Sequence, residues 1–208
     1  MLKNILYFSA SIVLFFIGVI LYGVILNLRE DTLAEAMNEK GIKNLGKVFL
    51  VVDRHNYKMD LYSDTVLVKS YKAVFGSDNS TYKMSKEDLV TPLGKYFICG
   101  IDNKSRYHKY FKINYPSKRD AAEALKNGYI SKEDFRKIMT APDNECPPDD
   151  TPLGADIGIH GIGKYNFIFK NLPFVFNWTN GSIAVSNENI DELFSVAGIG
   201  TQVEIINR

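Results

Sequence analysis

The stretch NWTNGSIAVSNENIDELF, Asn177–Phe194, decides how this chain is read. Thr179-Asn180-Gly181 has the composition of a tight turn, because asparagine and glycine accept backbone conformations closed to bulkier residues. The turn presents Ser182 at the start of Ile183-Ala184-Val185, an apolar run short enough for a buried strand. Ser186 then stands as N-cap to a helix expected over Asn187 to Val196. Gly181 removes steric bulk beside Ser182, and backbone N–H groups in such a turn can face a developing oxyanion. A turn serine that only bonds its own backbone carries the same signature.

Upstream, DIGIHG (Asp156–Gly161) ends an apolar run in a histidine flanked by Gly158 and Gly161. Glycine beside a polar residue at a strand end lets backbone or ligand approach closely, so His160 is a candidate base as well as a candidate structural histidine. His108 lies on an aromatic strand with basic neighbours and is a weaker candidate for a substrate groove, while His55 sits in a polar turn and reads as solvated or hydrogen-bonded. Cys99 and Cys146 lack metal-ligand spacing; they pair in an oxidising compartment or stay free. Cys99 reads as a buried strand residue and Cys146 as a more exposed loop residue. No metal cluster is visible and no cofactor is called for.

Working outward, KVFLVVD, YKMDLYS and TVLVKSYKAVFG are β-branched or alternating runs parted by Asp53-Arg54-His55-Asn56 and Ser63-Asp64, which predicts an antiparallel meander. TPLGKYFICGID and YHKYFKINYP are further strands. KRDAAEALKNG and SKEDFRKIM read as two short helices, the first stopped by Gly128 and the second capped by Ser131. QVEIIN supplies a last strand. The fold class is a β-rich α+β domain over 47–208. The chain is 46% hydrophobic and 24% charged with a formal net charge of +1, which describes a folded protein without the basic field that nucleic acid requires.

Ile5 to Leu28 holds no charge, and ~24 residues are enough to cross a hydrocarbon core of about 30 Å as a helix. The run is longer than the apolar region of a signal peptide and ends in Asn27-Leu28-Arg29 without a small-residue cleavage pattern. Residues 1–28 are therefore expected to be an uncleaved anchor in the cytoplasmic membrane, and 29–46 a polar, helix-prone spacer. Lys3 and Arg29 bracket the span, so charge leaves its orientation open.

Together these segments resemble the L,D-transpeptidase catalytic domain, the YkuD family. IGIHG and NWTNGSIAVSNENIDELF are similar to its two active-site blocks, an Ile-x-Ile-His-Gly strand and a Gly-Cys segment leading through Ser-Asn-Glu into a helix. VTPLGKYFI fits its Thr-Pro-x-Gly-x-Tyr/Phe signature, FKINYPSKRDA its Asn-Tyr-Pro segment, and EALKNGYISKEDFRKI with TPLGADIGIHG the insert of the branch that writes Trp-Thr-x-Gly-Cys. The resemblance runs from about Lys47 to Asn207. It implies a β-sandwich domain with short helices, outside the cytoplasmic membrane, acting on peptidoglycan stem peptides through an acyl-enzyme. It maps the base onto His160 and the oxyanion or substrate-binding positions onto Gly161, Trp178, Thr179, Asn180 and Gly181.

The family cysteine falls on Ser182. A thiol of pKa about 8.5 is readily held as thiolate, whereas a hydroxyl must lose its proton to a base during attack. Asp156 and Glu188 are both candidates to orient His160. Three readings stay open: a working serine acyltransferase or amidase, a wall-binding module that has lost its chemistry, and a serine introduced by engineering in place of cysteine.

Overall fold

The computed structural model describes residues 2–27, 30–142, 145–172 and 175–208. The expected end of the membrane run at Leu28-Arg29 and part of the loop after the second short helix, Asp143-Asn144, fall outside them.

The alternating runs near residue 50 form β1 (Val48–Asp53), β2 (Lys58–Ser63) and β3 (Val66–Lys72), paired antiparallel as a meander. The Asp53 carboxylate closes the first turn by accepting from the backbone N–H groups of His55 and Asn56. The last strand of the chain, β8 (Gln202–Ile206), lies parallel to β1 and carries β4 (Gly94–Ser105) on its other side. β4 is 12 residues long because it serves two partners: its first residues pair with β8 and the rest with β5 (His108–Ile113). Beyond β5 come β6 (Gly158–Gly161) and β7 (Ile183–Val185), so the order is β3-β2-β1-β8-β4-β5-β6-β7.

The two outer strands approach each other. Val74, just past β3, bridges Ala184 in β7, and Gly76 bridges Thr179. The sheet thus wraps around one core that includes Leu50, Val52, Met59, Leu61, Phe111, Ile159, Ile183 and Ile205, none more than 1% exposed. This curled sheet with short helices on its outside is the β-rich α+β arrangement expected from the sequence.

The helices follow their caps. α3 (Lys118–Lys126) and α4 (Lys132–Thr140) each begin at a serine whose hydroxyl accepts from the third backbone N–H, while an aspartate there reaches back to the cap. A disulfide between Cys99 of β4 and Cys146 ties the segment beyond α4 to the sheet, with the Cα atoms 5.1 Å apart. Cys99 is half-buried, not a core thiol as its apolar neighbours suggest, because its side chain faces this bridge. α6 (Asn187–Val196) lays Ile190 and Leu193 on the sheet, and Phe194 stacks on Phe111 with ring centroids 4.0 Å apart.

Two segments depart from the sequence reading. The expected spacer contains α2 (Leu33–Glu39), which is docked on the domain: Leu33 and Ala36 are buried, and the Leu33 N–H donates to Glu192. Met37, partly buried, packs on the core beside them. A 3-10 turn (Gly163–Tyr165) leads into α5 (Asn166–Lys170), a helix too short to show a period in the sequence. The apolar N-terminal run is α1 (Leu2–Asn27), mean hydropathy 2.5.

Candidate active site

β6 and β7 run parallel, with Ile159 opposite Ile183 and His160 opposite Ala184. This register sets the histidine strand beside the serine turn. Gly158 is required at the join: a Cβ there would lie 2.1 Å from the Phe111 carbonyl oxygen and 2.6 Å from Cζ of the Tyr110 ring. The turn is pinned by Thr179, whose hydroxyl donates to the Ser182 carbonyl and accepts from the Gly181 N–H at 3.2 Å. The Gly181 N–H is engaged there, whereas the Ser182 N–H has no hydrogen-bond acceptor among the described residues.

Gly181 itself has φ +111°, and a Cβ on it would meet the Val90 carbonyl oxygen at 2.6 Å. Gly181→Ala should therefore lower stability by about 1–3 kcal/mol, the cost of holding a side-chain-bearing residue in such a conformation. Thermal denaturation of the detergent-solubilised chain reads this, and an unchanged midpoint would show that the turn relaxes freely.

His160 is 3% exposed. Its Nδ1 lies 2.7 Å from the Gly161 carbonyl oxygen, which can only accept, so Nδ1 carries the proton and Nε2 keeps its lone pair. Burial lowers the imidazole to about 4, and the nearby Arg106 charge acts the same way against the Gly161 hydrogen bond. The ring stacks on Tyr107 at 4.3 Å and meets Trp178 edge-on at 6.0 Å. The result is a neutral, oriented imidazole at neutral pH.

The same burial links His160 to acid stability. An unfolded histidine binds its proton below about 6.5, whereas this one resists until about 4, so folding stability falls as pH drops through that window. The loss should approach about 3 kcal/mol in wild type and be absent in His160→Gln. Denaturation midpoints of both at pH 7 and pH 4.5 check this; parallel losses in the two would place the acid sensitivity elsewhere.

Ser182 lies at the edge of burial. Its Oγ accepts from the Gly158 N–H at 3.2 Å and directs its proton toward the Asp156 carbonyl at 3.4 Å. Among the described residues no hydrogen bond joins Ser182 to His160. Both line one cleft of about 570 Å³ with Tyr107, Tyr110, Trp178 and Asn180. Lys86 and Arg106 add positive charge to its rim, and Glu87 and Asp156 negative charge.

Of the positions expected from the sequence, His160, Ser182, Trp178, Thr179 and Asn180 line this cleft, and Gly161 and Gly181 lie directly behind it in the backbone. His108 is not among its lining residues. The chain turns through a left-handed residue there (φ +81°), which sends the His108 ring to Asp191 at 2.8 Å and leaves its neighbour Tyr107 on His160. Neither carboxylate suggested as an orienter holds the imidazole: Asp156 pairs with Lys112, and Glu188 with Lys170 and Asn166. The orienter is a backbone carbonyl, invisible to any search for acidic side chains. Among the described residues no group of three or more His, Cys, Asp or Glu side chains is placed to hold a metal.

An imidazole and a hydroxyl thus line one aromatic cleft, brought there by two parallel strands of a curled sheet. The chain belongs to the YkuD family, matching its L,D-transpeptidase catalytic domain over residues 47–205. Among solved structures it is similar to a point variant of the helical cell shape determining protein Pgp2 from Campylobacter jejuni, with 18% identity and a TM-score of 0.50 over 85% of this chain and 55% of that one. It is also similar to Bd1075 from Bdellovibrio bacteriovorus, with 18% identity and a TM-score of 0.48 over 79% and 49% of the two chains. An Enterococcus faecium L,D-transpeptidase variant follows at 13% identity and 0.45, over 78% and 50%. The chain spans about half the length of these proteins. No curated protein matches it.

Proposed function

We propose that this chain is a membrane-anchored, extracytoplasmic protein that takes peptidoglycan stem peptides into the Tyr107–Trp178 cleft and performs acyl transfer or amide hydrolysis there, with Ser182 as nucleophile and His160 as base. One observation carries the reading: the His160 proton is committed to the Gly161 carbonyl, which leaves Nε2 free to receive another. α1 supports the anchor by its length and composition, and the Cys99–Cys146 disulfide suits an oxidising compartment.

In the proposed reaction Ser182 Oγ attacks the carbonyl carbon of a stem-peptide amide while its proton passes to His160 Nε2. The Ser182 N–H faces the oxyanion, and the imidazolium returns the proton to the departing amine. An ester on Ser182 remains. An amine of a second stem peptide or a water molecule then attacks it, and the proton travels the same route.

A second reading rests on a different observation. The Ser182 hydroxyl is held by the backbone of Gly158 and Asp156 and, among the described residues, not by His160, which suits a cleft that binds stem peptides without cleaving them. Digestion of purified muropeptides by the full chain in detergent separates the two. New cross-linked or trimmed products that vanish in Ser182→Ala establish the serine enzyme. Retention on purified sacculi without products, unchanged in Ser182→Ala, establishes the binding module.

A further inference from the structure

We propose that the segment Tyr165–Ile168, at the start of α5, lies in the headgroup region of the bilayer that α1 crosses and so fixes the cleft close to the membrane surface; this rests on the anchoring reading above. The argument begins with α1. Most of its length is exposed, but Val19, Ile20, Gly23, Val24 and Asn27 are covered. These positions recur at helical spacing and form one face of its last two turns. α5 is the element that meets this face.

The contact is close. A Cβ on Gly23 would lie 1.6 Å from the Asn171 carbonyl oxygen, so no other residue fits there without moving the backbone. The Asn27 amide donates to the Lys170 carbonyl at 2.7 Å and to the Asn171 side chain at 2.6 Å, while Asn171 in turn donates to the Phe167 carbonyl. These bonds satisfy a polar side chain at the end of an apolar helix and hold α5 at its level.

Depth follows from helix geometry. The apolar run through Asn27 spans about 35 Å at 1.5 Å per residue, only ~5 Å more than a hydrocarbon core. A backbone touching Gly23 therefore sits at the boundary between acyl chains and headgroups. At that depth the 3-10 turn exposes Tyr165 (52%) and α5 exposes Phe167 (63%) and Ile168 (49%), which in water would form an apolar patch. Tyr165 and Phe167 suit the interface, and exposed Lys164, lying over the Tyr165 ring, can reach toward lipid phosphates.

The patch is coupled to the cleft. Phe169 of α5 packs on Trp178 at 5.7 Å, and Trp178 meets His160. Two aromatic rings in series thus link the lipid-facing segment to the imidazole, and the substrate presented to such a cleft is the membrane-proximal part of the wall.

The test uses the full chain in phosphatidylglycerol/phosphatidylcholine vesicles whose lipids are brominated high on the acyl chain. Trp178 is the single tryptophan, so in a Trp178→Phe background Phe167→Trp, Ile168→Trp and the remote exposed Met139→Trp each report one depth. A side chain about 5–10 Å into the interface should lose roughly half its emission; the first two should do so and the third should not. Carbonate extraction is run in parallel. Chain that resists carbonate but shows no quenching at 167 or 168, or equal quenching at all three positions, overturns the proposal and leaves the anchor standing. Chain released by carbonate overturns the anchor and this proposal with it.

Discussion

On the proposed mechanism Ser182→Cys is expected to raise acylation of the chain by stem peptides on the order of 10²–10⁴-fold, the contribution a positioned general base makes to proton removal in the transition state. In the wild type that mechanism leaves the removal to His160, yet the Ser182 proton points at the Asp156 carbonyl and the hydroxyl also accepts from the Gly158 N–H. A thiol at the same position ionises before attack, so it depends less on a hydrogen bond to the imidazole. Single-turnover mass spectrometry of the covalent species, wild type against variant at pH 7, measures the gain. Equal rates would show that Ser182 is already activated in the bound complex. On the same proposed mechanism His160→Ala should abolish turnover of either form, since the unengaged Nε2 of the neutral imidazole is the proposed proton acceptor.

Removing the disulfide carries the second large effect. Cys99 and Cys146 are separated by 47 positions, and closing a loop of that length removes chain entropy from the unfolded state worth about 4 kcal/mol, within a usual range of about 2–5. The bridge also fastens the end of the α3–α4 hairpin to β4, the strand shared by both halves of the sheet. Cys99→Ser with Cys146→Ser should lower stability by about 2–5 kcal/mol, read as the denaturant midpoint multiplied by the unfolding slope. If the midpoint matches that of oxidised wild type, the hairpin is held by α3 and α4 packing alone.

Much of the fold was legible because the signals are local. Ser186 before an amphipathic run predicted α6 to the residue, Asn187–Val196, and Ser131 likewise placed the start of α4. Alternation in the meander and the polar turns at Asp53 and Ser63 set the first three strands. α5 was not legible, since five residues hold too little of a helical period, and α2 gave no sign of docking because two buried positions look like ordinary spacing. The cysteine pair stayed open for a different reason: two thiols 47 positions apart have no local geometry until the sheet and the hairpin are folded.

For the site, sequence determined the residue types: a glycine-flanked histidine, a serine on an Asn-Gly turn, and the Trp-Thr pair ahead of it. These are chain-local features whose chemistry follows from neighbours along the backbone. Only the tertiary structure decided what each one faces. The β6–β7 register set the turn beside the histidine, the left-handed residue at 108 turned His108 away and Tyr107 in, and the strand end brought the Gly161 carbonyl to Nδ1. Burial then made the imidazole neutral. A hydrogen-bond partner, a stacked ring and a local dielectric are properties of groups brought together in space, and no spacing along the chain encodes them.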